Sequence, residues 1–214
     1  MNFQYELGID EAGRGPLAGP VAVGLVLVPT GFDWSLLPGV GDSKKVSEKN
    51  RERIYKEALR LAKAGKLWCT VEMASAKAID KQGIAVVIRG CIDKGLKELS
   101  ARQDLELDWG TAAVKLDGSL RAPEYCLHQE TIIKGDAKEQ VIGLASILAK
   151  VTRDAYMCRL ANKVTFNPYQ FAKHKGYGTA LHRRLIAQNG LSPEHRASYC
   201  KNIKLCYISN PQVG

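Results

Sequence analysis

The chain has 214 residues, of which 45% are hydrophobic and 25% are charged, and this balance predicts one globular domain with a substantial core. No stretch approaches the roughly 20 apolar residues that a membrane span needs, and the first residues lack the basic region and apolar run of a signal peptide. These features argue against a membrane or secreted protein, so we expect a cytoplasmic protein. We separately expect it to be a monomer.

Two strands are predicted first, at residues 3–9 and 19–28, and they form a hairpin because short apolar runs flank the glycine-rich turn GRGPLAG. A helix is predicted over residues 47–64, since Ser47 is suited to cap it and its apolar residues fall on one stripe. That stripe consists of Ile54, Ala58, Leu61 and Ala62.

The rest of the chain alternates between strands and helices. The predicted elements are a strand at 67–73, a helix at 75–101, a strand at 112–118, a short strand at 131–133 and a long helix at 138–162, followed by basic loops and short helices. Strands that first pair locally and then alternate with helices predict an α/β domain with a mixed sheet.

The six cysteines lie far apart in the sequence, with no C-x-x-C pair and no histidine partner at zinc spacing. They are Cys69, Cys91, Cys126, Cys158, Cys200 and Cys206. We therefore predict buried, reduced thiols rather than disulfides or a zinc site.

The net charge of +9 falls entirely in the last third of the chain. Residues 150–214 hold eleven lysines or arginines against two acids, whereas residues 1–149 hold twenty bases and twenty acids. Seven of the fifteen aromatic residues also lie in this basic third, and such a surface suits a polyphosphate backbone. A solvated basic face that serves only solubility would have the same composition, so composition alone leaves both interpretations open.

Four acids stand at predicted element boundaries. Asp10 and Glu11 end the first strand, Asp117 ends the strand AAVKLD, and Asp136 precedes the long helix. If these strands are neighbours in the sheet, their ends converge, and bound divalent cations would offset the repulsion between the carboxylates. Oxygen ligands without histidine or cysteine suit Mg²⁺ or Mn²⁺. Beside a basic surface, this predicts metal-assisted cleavage of a phosphodiester.

Each acid also has a simpler interpretation. Asp10 and Glu11 could be turn residues, and as neighbours in a strand they point to opposite faces, so both reach one site only if Glu11 lies beyond the strand. Asp117 before Gly118 is a common turn pair, and Asp136 could cap the following helix.

Other patterns give no competing chemistry. Asp154 lies four residues after Lys150 and is expected to pair with it rather than bind a metal. The glycines fit neither a dinucleotide fingerprint nor a Walker A sequence. The four histidines, at 128, 174, 182 and 195, are scattered, so a histidine acid–base pair is not predicted. A non-catalytic nucleic-acid-binding module and a nucleotide-binding metabolic enzyme remain as alternative classes.

Six motifs together resemble bacterial ribonuclease HII, the type 2 ribonuclease H family, in order and approximate spacing. They are GIDEAGRGPLAGPV (8–21), DSKKVSE (42–48), LDG (116–118), KGDAK (134–138), ASILAKVTRD (145–154) and HKGYGTALH (174–182). The resemblance covers residues 7 to about 196. It implies an α/β fold of the ribonuclease H type, with a mixed sheet flanked by helices, in a single catalytic domain spanning residues 1–214. That domain would have a core over about 1–163 and a basic helical C-terminal extension over about 164–214.

The resemblance also implies an activity. Members of this family are endonucleases that hydrolyse the phosphodiester 5′ to a ribonucleotide, in RNA–DNA hybrids or in duplex DNA, with Mg²⁺ or Mn²⁺. Their products carry a 3′-hydroxyl and a 5′-phosphate, and the reaction removes misincorporated ribonucleotides and RNA primers. A replication clamp is a further partner to consider, but the tail LCYISNPQVG carries no information about it.

The matching motifs imply the site residues. The metal-binding acids would be Asp10, Glu11 and Asp117, with Asp136 as the fourth catalytic carboxylate. The segment Gly13, Arg14 and Gly15 would press its backbone against the 2′-hydroxyl of the target nucleotide, and Tyr177 would pack on that sugar.

Further residues are assigned to substrate binding. Ser146 belongs to this set with the glycine segment. The candidate phosphate contacts are Lys44, Lys45, Lys150, Arg153, Lys173, His174 and Lys175.

Overall fold

A mixed five-stranded sheet is the centre of the computed structural model, which describes residues 3–41 and 46–204. Its strands are β1 (Tyr5–Ala12), β2 (Val21–Pro29), β3 (Trp68–Ala74), β4 (Ala112–Asp117) and β5 (His128–Ile132). The strand order is β3-β2-β1-β4-β5. β1 pairs antiparallel with β2 and parallel with β4, which confirms the predicted hairpin and the mixed sheet.

Helices lie on both sides of this sheet. They are α1 (Glu48–Lys63), α2 (Ala76–Gln82), α3 (Ile84–Ser100), α4 (Gly135–Lys138), α5 (Gln140–Ala161), α6 (Phe171–His174) and α7 (Ala180–Asn189). Short 3₁₀ turns lie at Trp34–Leu36, Trp109–Thr111, Val164–Tyr169 and Ala197–Tyr199. Ser47 caps α1 as predicted, because its side chain accepts a hydrogen bond from the backbone N–H of Asn50 at 3.3 Å.

The core is divided between the two faces of the sheet. On one face Val23, Leu25 and Leu27 of β2 join the apolar residues of α3, and on the other Val26 and Val28 join α1 and α5. Successive strand residues point to opposite faces, so the unbroken apolar sequence of β2 reflects burial on both sides.

Helix α5 lies close to the sheet because two glycines face it. A Cβ atom at Gly8 would lie 2.3 Å from the backbone of Val141, and one at Gly24 would lie 2.2 Å from the carbonyl oxygen of Ala145. A cluster of alanines continues this contact towards the end of β1. The helix therefore runs directly beside the strand end that carries the first two acids.

Several element boundaries differ from the prediction, and β1 ends at Ala12 rather than at residue 9. The predicted helix at 75–101 is two helices, because Gly83, with a φ of +83°, ends α2 and begins α3. β5 begins at His128 rather than at residue 131. The long helix begins at Gln140, after the short α4, rather than at residue 138.

The five cysteines in the described part of the chain are free, as predicted. Cys91, Cys126 and Cys200 are buried, whereas Cys69 and Cys158 are half-buried. Among residues 3–41 and 46–204, no helix is both long and apolar enough to cross a membrane. Lys44, Lys45, Cys206 and the tail from residue 205 lie outside the described residues, so the predictions made for them stay predictions.

Candidate active site

The three acids of β1 and β4 meet at one end of the sheet. Pairing between these parallel strands ends at Ile9 and Leu116, so Asp10 and Asp117 follow side by side at the strand ends. They line a cavity of about 280 Å³ together with Glu11. The remaining lining residues are Ala12, Gly13, Arg14, Gly15, Ser146, Lys150 and Tyr177. The structure thus gathers nine of the residues predicted for the site around one cavity.

Glu11 reaches this cavity although it does not lie beyond the strand. β1 extends to Ala12, and Glu11 pairs with Val23 inside the β1–β2 ladder, so Glu11 lines the cavity from within the strand. β4 has already stopped pairing with β1 at this level. The end of β1 therefore has β2 on one side only, and consecutive residues border the same opening.

The electrostatic environment of Asp10 is unusual for a carboxyl group. Its side chain is only 5% exposed, and it accepts a hydrogen bond from its neighbour's backbone N–H at 2.7 Å and another from the Ser146 hydroxyl. Burial, with a smaller contribution from the charges of Glu11 and Asp117, raises the pKa of Asp10 to about 8 against the hydrogen bonds that lower it. Such a shift marks a site that is short of positive charge.

Glu11 is held by the loop that follows it. Burial raises its pKa, and the Arg14 guanidinium opposes this effect by donating a hydrogen bond from Nε to Oε1 at 2.7 Å. The side chain of Arg14 is exposed. The pair therefore lies at the rim of the cavity, where solvent and substrate both have access.

Asp117 connects the cavity to α4. Its Oδ1 accepts a hydrogen bond from the backbone N–H of Gly135 at 2.7 Å, and this contact fixes the start of the helix that carries Asp136. Asp136 is 5% exposed. Asp136 is not one of the described residues that line the cavity. Three of the four predicted carboxylates therefore border the cavity, and the fourth lies on the adjoining helix α4.

The donor set suits a hard divalent cation. It consists of carboxylate oxygens, with a hydroxyl beside them, and histidine and cysteine do not line the cavity within the described chain. Across residues 3–41 and 46–204, however, no group of three or more histidine, cysteine, aspartate or glutamate side chains is already arranged to hold a metal ion. The acids are therefore gathered without forming a closed coordination sphere, and Glu11 would have to exchange its Arg14 partner to join one.

Two buried arginines hold the glycine-rich loop at residues 13–20. Arg196 donates to the carbonyl oxygens of Gly13, Arg14 and Gly19 at 2.7 to 3.0 Å. Arg153 donates to the carbonyls of residues 18 and 20 at 3.1 and 2.9 Å. The sequence counted both arginines as surface charge, whereas both are fully buried. That these arginines hold the loop is visible only in the folded structure, because the loop at residues 13–20 and Arg196 lie far apart in the sequence.

The predicted phosphate contacts separate into different groups. Arg153 and His174 are buried against backbone carbonyls, which contradicts their assignment to phosphate. Lys175 donates to the carbonyl of residue 172 and to the sulfur of residue 158, away from the cavity. Lys173 is exposed. Lys150 lines the cavity and pairs with Asp154 at 2.8 Å, which confirms that predicted pair.

Tyr177 lies at the rim of the cavity with an exposed fraction of 40%. The Lys150 Nζ atom and the Arg153 Cζ atom each lie 5.4 Å from the centre of its ring. These cations restrict the ring through cation–π contacts while leaving much of it exposed. The position is suited to stacking or packing against a ligand in the cavity.

A second cavity, of about 310 Å³, adjoins the first and shares Arg14 with it. Arg89 from α3 and Arg121 from the loop after β4 also line it. Both come from the part of the chain in which bases and acids balance, so charge composition does not point to them.

Three of the four histidines are not scattered in space as they are in the sequence. His174, His182 and His195 are all buried, and their rings lie against one another. The prediction that they are separate is therefore wrong. Within the described residues none of these three histidines lines the carboxylate cavity.

A family model and several known proteins match most of this chain. The family model for ribonuclease HII matches residues 7–202. The ribonuclease HII of Endomicrobium trichonymphae is 38% identical over 197 residues, covering 92% of this chain and 86% of that protein. The ribonuclease HII of Syntrophotalea carbinolica is 40% identical over 199 residues, covering 93% of this chain and 87% of that protein.

Solved structures share the fold. The ribonuclease H2 of Pyrococcus horikoshii OT3 superposes with a TM-score of 0.68 at 22% identity, covering 94% of this chain and 97% of that one. The ribonuclease HII of Archaeoglobus fulgidus, solved as a complex with PCNA, gives 0.68 at 24% identity, with coverages of 89% and 93%. Bst-RNase HIII in complex with Mn²⁺ gives 0.65 at 16% identity, with coverages of 94% and 69%. With the match to the family model over most of its length and with relatives of this similarity, the chain belongs to the ribonuclease HII family and is an endoribonuclease.

Proposed function

We propose that this endoribonuclease hydrolyses the phosphodiester 5′ to a ribonucleotide, in RNA–DNA hybrids or in duplex DNA, and leaves a 3′-hydroxyl and a 5′-phosphate. Its role would be the removal of misincorporated ribonucleotides and RNA primers. One observation carries the proposal: Asp10, Glu11 and Asp117 share a cavity with the loop at residues 13–15 and with Tyr177. Carboxylates for hydrolysis and groups that can sense a sugar thus border the same space.

Mg²⁺ or Mn²⁺ is the cofactor that the donor set fits best. Asp10, Glu11 and Asp117 would hold it, and the buried Asp136 would act from the adjoining helix. Such an ion supplies positive charge where negative charge develops on the scissile phosphate. The raised pKa of Asp10 supports this assignment, because a nearby cation favours the charged form of a carboxyl group that burial disfavours.

The loop at residues 13–15 is suited to recognise a 2′-hydroxyl through its N–H groups. The carbonyl oxygens of Gly13 and Arg14 already accept hydrogen bonds from Arg196, so they are directed away from the cavity. In the described chain, no hydrogen bond occupies the backbone N–H groups of Arg14 and Gly15. A Cβ atom at Gly15 would meet nothing within 4 Å, which leaves open space beside the backbone for a sugar.

The duplex backbone would be held by cations around the two cavities. Lys150 lies in the carboxylate cavity, and Arg89 and Arg121 lie in the adjoining one. Phosphate contacts of this kind position the duplex without reading its sequence. Lys44 and Lys45 remain predicted phosphate contacts outside the described residues.

A second partner and the location of the protein complete the proposal. The Archaeoglobus fulgidus protein was solved in complex with PCNA, and this supports a replication clamp as a second partner of the present chain. The cytoplasmic location and the monomeric state stay predictions.

Cleavage mapping on a DNA duplex with one embedded ribonucleotide tests the proposed reaction. We expect one nick, on the 5′ side of the ribonucleotide, with a 3′-hydroxyl end, and we expect a chelator to abolish it. Asp10→Asn should retain binding of the duplex and lose nicking, because the amide preserves shape but not charge. Asp33→Asn is the matched control, since Asp33 is exposed and Asn also caps the turn that it precedes. Nicking by the Asp10→Asn variant, or a cut elsewhere, would contradict the proposal.

A further inference from the structure

Three histidines from separate segments form one buried cluster below Tyr177. The rings of His174 and His182 stack with centres 4.1 Å apart, and the ring of His195 lies 5.2 Å from that of His182. The exposed fractions of the three side chains are 7%, 0% and 4%. The aromatic rings of Phe171 and Tyr169 complete the enclosure. Because the cluster is enclosed, each ring nitrogen must donate where its partner accepts and accept where its partner donates.

The partners of His195 and His182 determine which nitrogens carry protons. The backbone N–H of Ser192 can only donate, so His195 Nδ1 accepts from it at 2.9 Å and the proton of that ring is on Nε2. His195 Nε2 then donates to His182 Nε2 at 3.1 Å. His182 must therefore carry its own proton on Nδ1, and this nitrogen donates to the carbonyl oxygen of Tyr177 at 2.9 Å.

His174 supports the same segment with the other tautomer. Its Nδ1 accepts from the backbone N–H of Gly176 at 3.1 Å, so its proton is on Nε2, which donates to the carbonyl of Tyr169 at 2.8 Å. Two adjacent residues, at 176 and 177, are thus held through their backbone by two histidines. Only neutral rings satisfy this pattern, and burial lowers the pKa of His182 and of His195 to about 4.

The segment held in this way is also the one that contacts the glycine-rich loop. The carbonyl of Gly176 accepts hydrogen bonds from the N–H groups of Leu17 and Ala18 at 2.9 and 3.3 Å, and His195 forms a backbone bridge with Ala18. A Cβ atom at Gly176 would lie 2.3 Å from the carbonyl oxygen of Ala18. The histidine cluster therefore joins the Tyr177 side of the cavity to the loop on its other side.

We propose that His195 and His182 are positioning residues, which through the hydrogen-bond series from Ser192 to the Tyr177 carbonyl fix the tyrosine ring relative to the loop at residues 13–15. This inference rests on the proposed function, in which that ring and that loop recognise the ribose. The series acts on the backbone of Tyr177 and leaves its ring free to contact the substrate. Its contribution is realised in the rate of nicking rather than in duplex binding, which the phosphate contacts provide.

The tautomers test the inference directly in the wild-type protein. Long-range ¹H–¹⁵N correlation spectra should show His182 protonated on Nδ1, and His174 and His195 protonated on Nε2, at neutral pH. This readout does not depend on activity, so it tests the hydrogen-bond series even if the proposed cleavage reaction fails. A His182 ring protonated on Nε2, or on both nitrogens, would overturn the inference.

Variants test the consequence for the reaction. His182→Phe keeps a ring but loses the donor to the Tyr177 carbonyl. We expect kcat on the single-ribonucleotide duplex to fall about 10²-fold, the loss typical of a catalytic-site group misplaced by about 1 Å, while KM stays unchanged. His182→Asn retains an N–H at the Nδ1 position but loses the acceptor for His195 Nε2, so it should recover part of the rate. His128→Phe, at a histidine outside the cluster, is the matched control. A raised KM with an unchanged kcat in His182→Phe would contradict the inference. So would a His182→Asn variant that is as slow as His182→Phe.

A double-mutant cycle separates positioning of Tyr177 from general support of the fold. In a Tyr177→Ala background there is no ring to position, so adding His182→Phe should cause no further loss of kcat. An equal loss in both backgrounds would show that His182 acts independently of the tyrosine ring and would overturn the proposal. Absence of ribonucleotide-specific nicking by the wild type would instead contradict the proposed function.

Discussion

Replacement of Gly24 by alanine tests how closely α5 must approach the sheet. A Cβ atom there would lie 2.2 Å from the carbonyl oxygen of Ala145, 3.0 Å from its carbonyl carbon and 3.3 Å from the nitrogen of Ala149. All three are backbone atoms, so rotation of a side chain cannot relieve the overlap. Ordinary contact begins at 3.4 Å, and the helix must therefore move from β2 by about 1.2 Å, the difference between 3.4 and 2.2 Å.

This displacement has two measurable costs. Overpacking of a rigid core destabilises a protein by about 1–3 kcal/mol. We expect a value in this range because the atoms that would have to move belong to the backbone of α5. α5 also carries Ser146, which bonds Asp10, and Lys150, which lines the cavity. A shift of about 1 Å in these groups should lower kcat about 10²-fold.

Gly90 provides the matched control for this substitution. It lies within α3, is exposed, and a Cβ atom there would meet nothing within 4 Å. Gly90→Ala should therefore stabilise the protein by about 1 kcal/mol and leave nicking unchanged. Urea unfolding gives the free energy of unfolding for both variants, and the single-ribonucleotide duplex gives their rates. Wild-type stability and rate in Gly24→Ala would refute the reasoning.

The buried histidines, a buried arginine and two exposed arginines give the other predictions. Between about pH 6.5 and about pH 4 the unfolded chain binds protons at His182 and His195 before the folded chain does, so the free energy of unfolding should fall as pH falls, by about 1.4 kcal/mol per unit for each ring. Urea unfolding of the wild type and of His182→Phe checks this: equal slopes would contradict it. Arg196→Met should cost about 3 kcal/mol or more by thermal or urea unfolding, because it leaves buried carbonyls unpaired, and an unchanged stability would count against the loop contacts. Arg89→Ala and Arg121→Ala should each reduce the salt dependence of duplex binding by about one unit of log–log slope, and an unaltered slope would exclude a phosphate contact.

Much of the sheet could be predicted from the sequence because its signals are local. The apolar run of β2, the glycine-rich turn before it and the cap at Ser47 each depend on neighbouring residues, and each is confirmed. The break at Gly83 was missed because an apolar helical pattern continues on both sides of it. A single glycine with positive φ is enough to separate two helices there, and the periodicity contains no trace of it.

The arginines show what composition could not distinguish. Arg153 and Arg196 add to the basic third of the chain in the same way as Lys173, yet the first two are fully buried on loop carbonyls and the third is exposed. Formal charge in a sequence does not say whether a guanidinium meets water or backbone. The histidines, separated by up to 21 positions between His174 and His195, present the same difficulty.

The sequence by itself determined which acids stand at the ends of β1 and β4, because strand boundaries and turn chemistry are encoded by adjacent residues. Only the tertiary structure decided that Glu11 reaches the cavity from within its strand, that Asp136 stays on the adjoining helix, and that His182 supports Tyr177. These placements depend on strand register, on the close approach of α5 at Gly24, and on contacts between residues far apart in the chain. Such long-range contacts leave no periodic pattern in the sequence, since each is satisfied by a partner that only folding brings near.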